Sequence, residues 1–212
     1  MNNIILFVIT LFFLSKAAFA HPVIYQGGWM ASSDNMESYS GNQVMYSFTN
    51  KWSAGVNYWR FGEEEKEREL GLLKLNHLLY RYNGDDSQGN IYLHGGYGIA
   101  DGNEAFNRTD TYLGGIEADW ETRKVYTSAK YYHFNLAGKQ DIRMYQGRIG
   151  FSPMLSKFDQ LQTWVMLQGM VISDIEPAVI LTPMLRFFYH NVLWEMGASV
   201  KGGWMLNLMV HY

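Results

Sequence analysis

The chain reads as an all-β protein, an antiparallel up-and-down transmembrane β-barrel of about twelve strands. Three observations predict this. After residue 20 no apolar run reaches the roughly 18 residues that a membrane helix needs, and sustained helical periodicity is scarce. In its place stand segments of about ten residues, rich in Tyr, Trp, Val, Leu and Gly and separated by turn chemistry. Several of them alternate polar with apolar residues, the two-residue period of a strand whose faces meet different surroundings.

Composition narrows the class further. Among 212 residues, 16% are aromatic and 17% charged, a balance that argues against disorder. A formal net charge of −3 gives no basic surface for nucleic acid, so none is expected as a partner. Zero cysteines exclude disulfides, thiolate metal sites and a lipidated N-terminal cysteine. Twelve methionines beside no cysteine is the unusual count.

Taken in chain order, residues 1–20 read as a secretory signal peptide. Residues 4–14 (IILFVITLFFL) form an apolar core of signal-peptide length, although no lysine or arginine precedes it, and Ala18-Phe19-Ala20 supplies the small-x-small cleavage pattern. The barrel domain is then 21–212. Strands are predicted at 23–33, 41–49, 52–61, 68–81, 89–101, 110–121, 124–134, 141–152, 160–173, 178–189, 191–200 and 203–212. Connections after the even strands are mostly tight, as at Asn50-Lys51, Thr122-Arg123 and His190, with 82–88 and 153–159 longer. Those after the odd strands are expected to be polar loops, at 34–40, 62–67 with its run Glu63-Glu64-Glu65, 102–109 and 135–140. Short turns on one side and longer loops on the other fit a transmembrane barrel, and an even strand count brings both termini to the short-turn side.

The final strand, Trp204 to Tyr212, alternates and ends in an aromatic residue. Together with the export signal, the absence of cysteine and the aromatic strands, it makes the chain resemble bacterial outer-membrane β-barrel proteins as a class. The resemblance implies residence in the bacterial outer membrane, among its lipid and lipopolysaccharide. It also implies delivery to the barrel-assembly machinery through the strand ending in Tyr212, where the class more commonly carries phenylalanine. It brings no catalytic residues with it.

Alternation then separates lipid-facing from lumen-facing side chains. In the last strand Trp204, Leu206, Leu208, Val210 and Tyr212 suit lipid, which leaves Met205, Asn207, Met209 and His211 inside. A charge on the lipid face near the midplane costs about 2–4 kcal/mol. That cost assigns Lys74, Glu117, Asp119, Lys130, Arg148, Arg186 and Glu195 to the lumen. They form either an ion-pair network that fills it or a polar permeation path. Arg60 leaves the third strand ambiguous.

The same parity turns Met30, Met45, Met144, Met166, Met170, Met184, Met205 and Met209 inward, with Met36 and Met154 in connections and Met196 outward. Thioethers and imidazole suit Cu(I) or Ag(I). A soft-metal ladder of Met30, Met166, Met170, Met184, Met205, Met209 and His211 is therefore one expectation, with Met30 and Met205 brought close where the barrel closes. Flexible filling of the lumen is the other. No cofactor besides such a copper or silver ion is expected. His21, freed by cleavage, would pair its amine with its imidazole as a Cu(II) chelate.

For catalysis, none of His21, His77, His94, His133, His190 and His211 sits in a serine-hydrolase signature, and there is no Gly-x-Ser-x-Gly. The leading expectation is a narrow pore or solute-handling barrel, with soft-metal homeostasis as a specialisation. The alternatives are a structural or interaction barrel with a packed lumen, and a lipid-modifying enzyme.

Overall fold

The computed structural model describes residues 22–62, 67–102, 108–137, 140–155, 159–173 and 175–212. The segment read as a signal peptide, His21 and the run Glu63-Glu64-Glu65 lie outside the described residues. Twelve strands follow one another round a closed, wholly antiparallel barrel. They are β1 (Trp29–Met36), β2 (Tyr39–Ser47), β3 (Trp52–Phe61), β4 (Arg68–Asn83), β5 (Ser87–Gly102) and β6 (Thr109–Thr122). The second half comprises β7 (Val125–Leu136), β8 (Gln140–Phe151), β9 (Gln162–Ile172), β10 (Glu176–Tyr189), β11 (Val192–Ala198) and β12 (Trp204–His211). Odd-to-even connections lie at one end, the loop end, and both termini at the other.

Closure is by β12 on β1. Trp29 and Tyr212 exchange two backbone hydrogen bonds of 2.7 Å, and the ladder continues as Met30 opposite His211 and Met36 opposite Met205. This corrects the expected proximity of Met205 to Met30, because an antiparallel seam sets the start of β12 against the end of β1. The wall is uneven in height. β4 and β5 each run 16 residues, whereas β11 has 7 and β1 and β12 have 8. At about 3.3 Å per residue and a tilt near 40°, the tall side rises about 40 Å and the low side about 20 Å.

The outward face carries Val56, Leu73, Ile116, Ile149, Leu167 and Leu185, all exposed, and Trp29 meets Tyr46 in a tilted arrangement at the terminus end with ring centroids 4.9 Å apart. In β3 the inward set is Ser53, Asn57, Trp59 and Phe61, and Arg60 points outward at the loop end, 3.7 Å from Glu67. Arg60 is thus beyond the apolar band, so its charge says nothing about the lumen. Near the loop end of β1 and β2 the outer face also carries a closed hydrogen-bond ring of Ser33, Asn42, Ser40 and Asn35, with donor–acceptor distances of 2.7–3.1 Å.

The first strand departs from expectation. Pro22 has no N–H to give a ladder and Gly27 turns the chain at φ 85°, so pairing begins only at Trp29. Residues 22–24 instead fold into the terminus end of the barrel, and Tyr25, Gln26 and Gly27 are exposed. Val23 packs on Leu78 and Tyr92, Ile24 packs on Met30 and Met45, and the Pro22 carbonyl accepts from Ser53 Oγ at 3.0 Å and Asn76 Nδ2 at 3.3 Å. β1 also continues past residue 33, which draws Asp34 and Met36 out of the expected loop and into the inward-facing set.

The loops shrink for a common reason. Backbone ladders persist through polar residues once the wall projects above the apolar band, so 34–40 becomes the turn Glu37-Ser38 and 82–88 becomes Gly84-Asp85-Asp86. The expected contrast between long and short ends is absent, since the connection from Phe151 to Gln162 at the terminus end exceeds Glu37-Ser38.

Inward glycines make room for large neighbours. A Cβ on Gly115 would collide with the Tyr132 ring, and one on Gly150 would collide with Met166 Sδ. These glycines let a twelve-stranded barrel fill itself with side chains.

Candidate functional site

The described lumen has three layers. Its loop-end half is filled by apolar side chains, among them Phe61, Leu70, Phe134, Leu136, Ile142 and Ile172, each 0% exposed. Aromatic rings lock this plug: Phe61 lies 5.2 Å from Phe134 and Trp59 lies 5.3 Å from Phe134, centroid to centroid. At the terminus end, Pro22, Val23 and Ile24 fill the mouth as described above. Between them runs a belt of charge.

The belt is two clusters joined by a cavity of about 70 Å³. In the first, the Glu195 carboxylate, 1% exposed, accepts from Arg186 Nε at 2.6 Å, Asn207 Nδ2 at 2.8 Å and Arg148 Nη1 at 3.3 Å. Arg148 Nε also donates to Gln168 Oε1 at 2.8 Å, and the Arg186 guanidinium lies 4.3 Å from the centre of the Tyr126 ring. In the second, Glu117 Oε2 lies 3.2 Å from Lys130 Nζ and 3.5 Å from His94 Nε2. His94 Nδ1 meets Asn76 Oδ1 at 2.8 Å, and Lys74 Nζ donates to Gln43 Oε1 at 3.1 Å and to the Tyr132 hydroxyl at 3.2 Å. Asp34 lines the same cavity and makes no ion pair among the described residues.

Every residue expected in the polar lumen is therefore inside. Asp119 alone stands apart from the cavity, toward the terminus end, where it accepts from Asn90 Nδ2 at 2.7 Å. Sequence reasoning missed Asp34, because it was assigned to a loop, and missed His94 and Asn76. The alternation Met30, Ser32, Asp34, Met36 was the signal that could have placed Asp34. His94 meets Asn76 and Glu117, and Ser53 Oγ donates to the Pro22 carbonyl, so these two side chains do not form a nucleophile–base pair.

The expected methionine ladder divides into two groups. Met166, Met170, Met184 and Met205 lie in the apolar plug, joined by Met36 and Met144. Met30 and Met209 lie at the terminus end with Met45, and His211 faces Met30 across the seam. Among the described residues no three His, Cys, Asp or Glu side chains gather as a metal cluster.

No protein-family model matches the chain, and no curated protein matches it in sequence. Among solved structures it is similar to the KdgM porin in complex with disordered oligogalacturonate, with a TM-score of 0.50, 9% identity, and coverage of 87% of this chain and 98% of that one. Two further neighbours are OccK8 (OprE) of Pseudomonas aeruginosa and a loop L8 deletion of OmpT, an outer membrane protein of Vibrio cholerae. OccK8 has a TM-score of 0.43 at 10% identity over 82% of this chain and 57% of its own. The OmpT variant has a TM-score of 0.30 at 7% identity over 88% and 97%. The structural neighbours are bacterial outer-membrane β-barrels, and the architecture of this chain is that of a closed twelve-stranded barrel of the same kind.

Proposed function

We propose that this chain is a solute-handling barrel of the bacterial outer membrane, with a narrow, charge-lined lumen that the described conformation holds shut. The observation that carries this reading is the belt. Apolar side chains fill most of the loop-end half of the same lumen, so stability alone did not require four cations and three carboxylates around a cavity. Desolvating such ions costs several kcal/mol each, and a hydrophobic filling of equal volume is often as stable or more so. Charges that face one another across a lumen select and bind hydrated solutes. The similarity to the KdgM porin supports the fold on which such a path is built.

The filled plug favours a second reading, a structural or interaction barrel that never opens. Planar-bilayer recording separates the two. Wild-type protein is expected to be silent or nearly so, and the double variant Phe61→Ala with Phe134→Ala is expected to show discrete conductance steps. A folded, inserted double variant that stays silent supports the closed barrel and removes the solute path.

A further inference from the structure

The geometry points to a soft-metal site of Met45, Met30 and His211 at the seam of the barrel, a site for one Cu(I) or Ag(I) ion. The inference does not depend on whether the lumen conducts. Three adjacent strands present these side chains side by side: Met45 of β2 is opposite Met30 of β1, and Met30 is opposite His211 of β12. Directly opposed residues have Cβ atoms about 4.5–5.5 Å apart, within reach of one ion bridged by flexible thioethers. All three are inward and buried, at 1%, 2% and 1% exposure.

The independent observation is the imidazole. Both ring nitrogens of His211 are buried and neither has a hydrogen-bond partner. A buried polar group left without a partner is costly, and native interiors rarely tolerate one. Other buried side chains leave one polar atom unpartnered, but among the described residues only His211 leaves two, while its neighbours Asn207 and Asn191 donate to Glu195 and to the His211 carbonyl. A metal bond to one imidazole nitrogen would answer the deficit. Filling of the lumen by methionine explains Met30 and Met45 but offers no reason to bury a histidine beside them.

The donor set selects the ion. Two thioethers and one neutral imidazole are soft to borderline ligands, suited to Cu(I) and Ag(I), and no carboxylate joins them to attract Mg²⁺ or Ca²⁺. Met30 and Met209 also line the central cavity, which gives the site a polar approach from the lumen. Ile24 packs over Met30 and Met45 from the terminus side, where it keeps water from competing for a monovalent ion.

The test uses residues 21–212 folded in detergent micelles, with Ag(I) titrated calorimetrically and Cu(I) measured against a chromophoric chelator. One ion per chain is expected, with sulfur and nitrogen ligands in the X-ray absorption spectrum. Met30→Leu, Met45→Leu and His211→Phe should each weaken binding at least tenfold, and the triple variant should abolish it. Met166→Leu with Met184→Leu, in the plug, should leave it unchanged. Boiled and unboiled gel mobility checks that each variant is folded, and the two leucine variants decide the matter should His211→Phe not fold. Absence of one-to-one binding, an unchanged affinity in the leucine variants, or an equal loss in the plug variant would overturn the site.

Discussion

Replacing Glu195 by glutamine removes the only carboxylate that Arg148 and Arg186 touch within 3.5 Å among the described residues, while keeping the side chain's shape. Glu195 is 1% exposed and accepts three hydrogen bonds, two of them from guanidinium groups. The glutamine keeps one oxygen acceptor but offers no charge, so two buried cations face each other across a small cavity. Breaking a buried ion pair by removing one partner costs about 3–5 kcal/mol. Retention of one hydrogen bond and some water in the cavity place the expected loss near the lower bound, about 3 kcal/mol. Guanidinium unfolding of the barrel in phospholipid vesicles, followed by tryptophan fluorescence, measures it. The companion variant Glu195→Leu, Arg148→Leu, Arg186→Met replaces the cluster by apolar volume and should return to within about 1 kcal/mol of wild type. A loss below about 1 kcal/mol for Glu195→Gln would mean that the cluster is solvated and not a buried ion network.

Three further outcomes follow from the same structure. Gly115→Ala drives a Cβ against the Tyr132 ring, so it should destabilise by about 1–3 kcal/mol, while Gly114→Ala, whose Cβ would meet nothing within 4 Å, should change stability little. Leu73→Arg, on the lipid face at 69% exposure, should cost about 2–4 kcal/mol, and the same charge at Glu69 near the loop end should cost under about 1 kcal/mol. Removal of Tyr212 deletes the paired hydrogen bonds to Trp29 at the seam and should lower the yield of heat-modifiable, folded barrel in the membrane fraction.

Much of this was legible in the sequence, and the reason is physical. A wall with lipid outside and a charged lumen inside forces alternation, so β12 could be read residue by residue and Lys74, Glu117, Arg148, Arg186 and Glu195 each fell on the correct face. What was not legible lies where that force stops acting. Above the apolar band polar residues serve as well in a ladder as in a loop, and Asp34 and Met36 were lost to a turn for that reason. Val23 and Ile24 have the composition of a strand, and only Pro22 and Gly27 hint that they leave the wall to enter the lumen. The division of the lumen into an apolar plug and a charged belt depends on the stagger between strands, which no single strand encodes. His94 and Asn76 meet only because β4 and β5 pair in one register.

If the charged belt lies on a solute path held shut by the plug, the reversal potential of the opened barrel reads that charge. Phe61→Ala with Phe134→Ala is recorded in a planar bilayer under a tenfold potassium chloride gradient, with and without Glu117→Gln. Conductance steps are expected in both, with a reversal potential that moves toward the chloride equilibrium value when the Glu117 charge is removed. Steps whose reversal potential ignores Glu117 would contradict that path, because current would then bypass the belt.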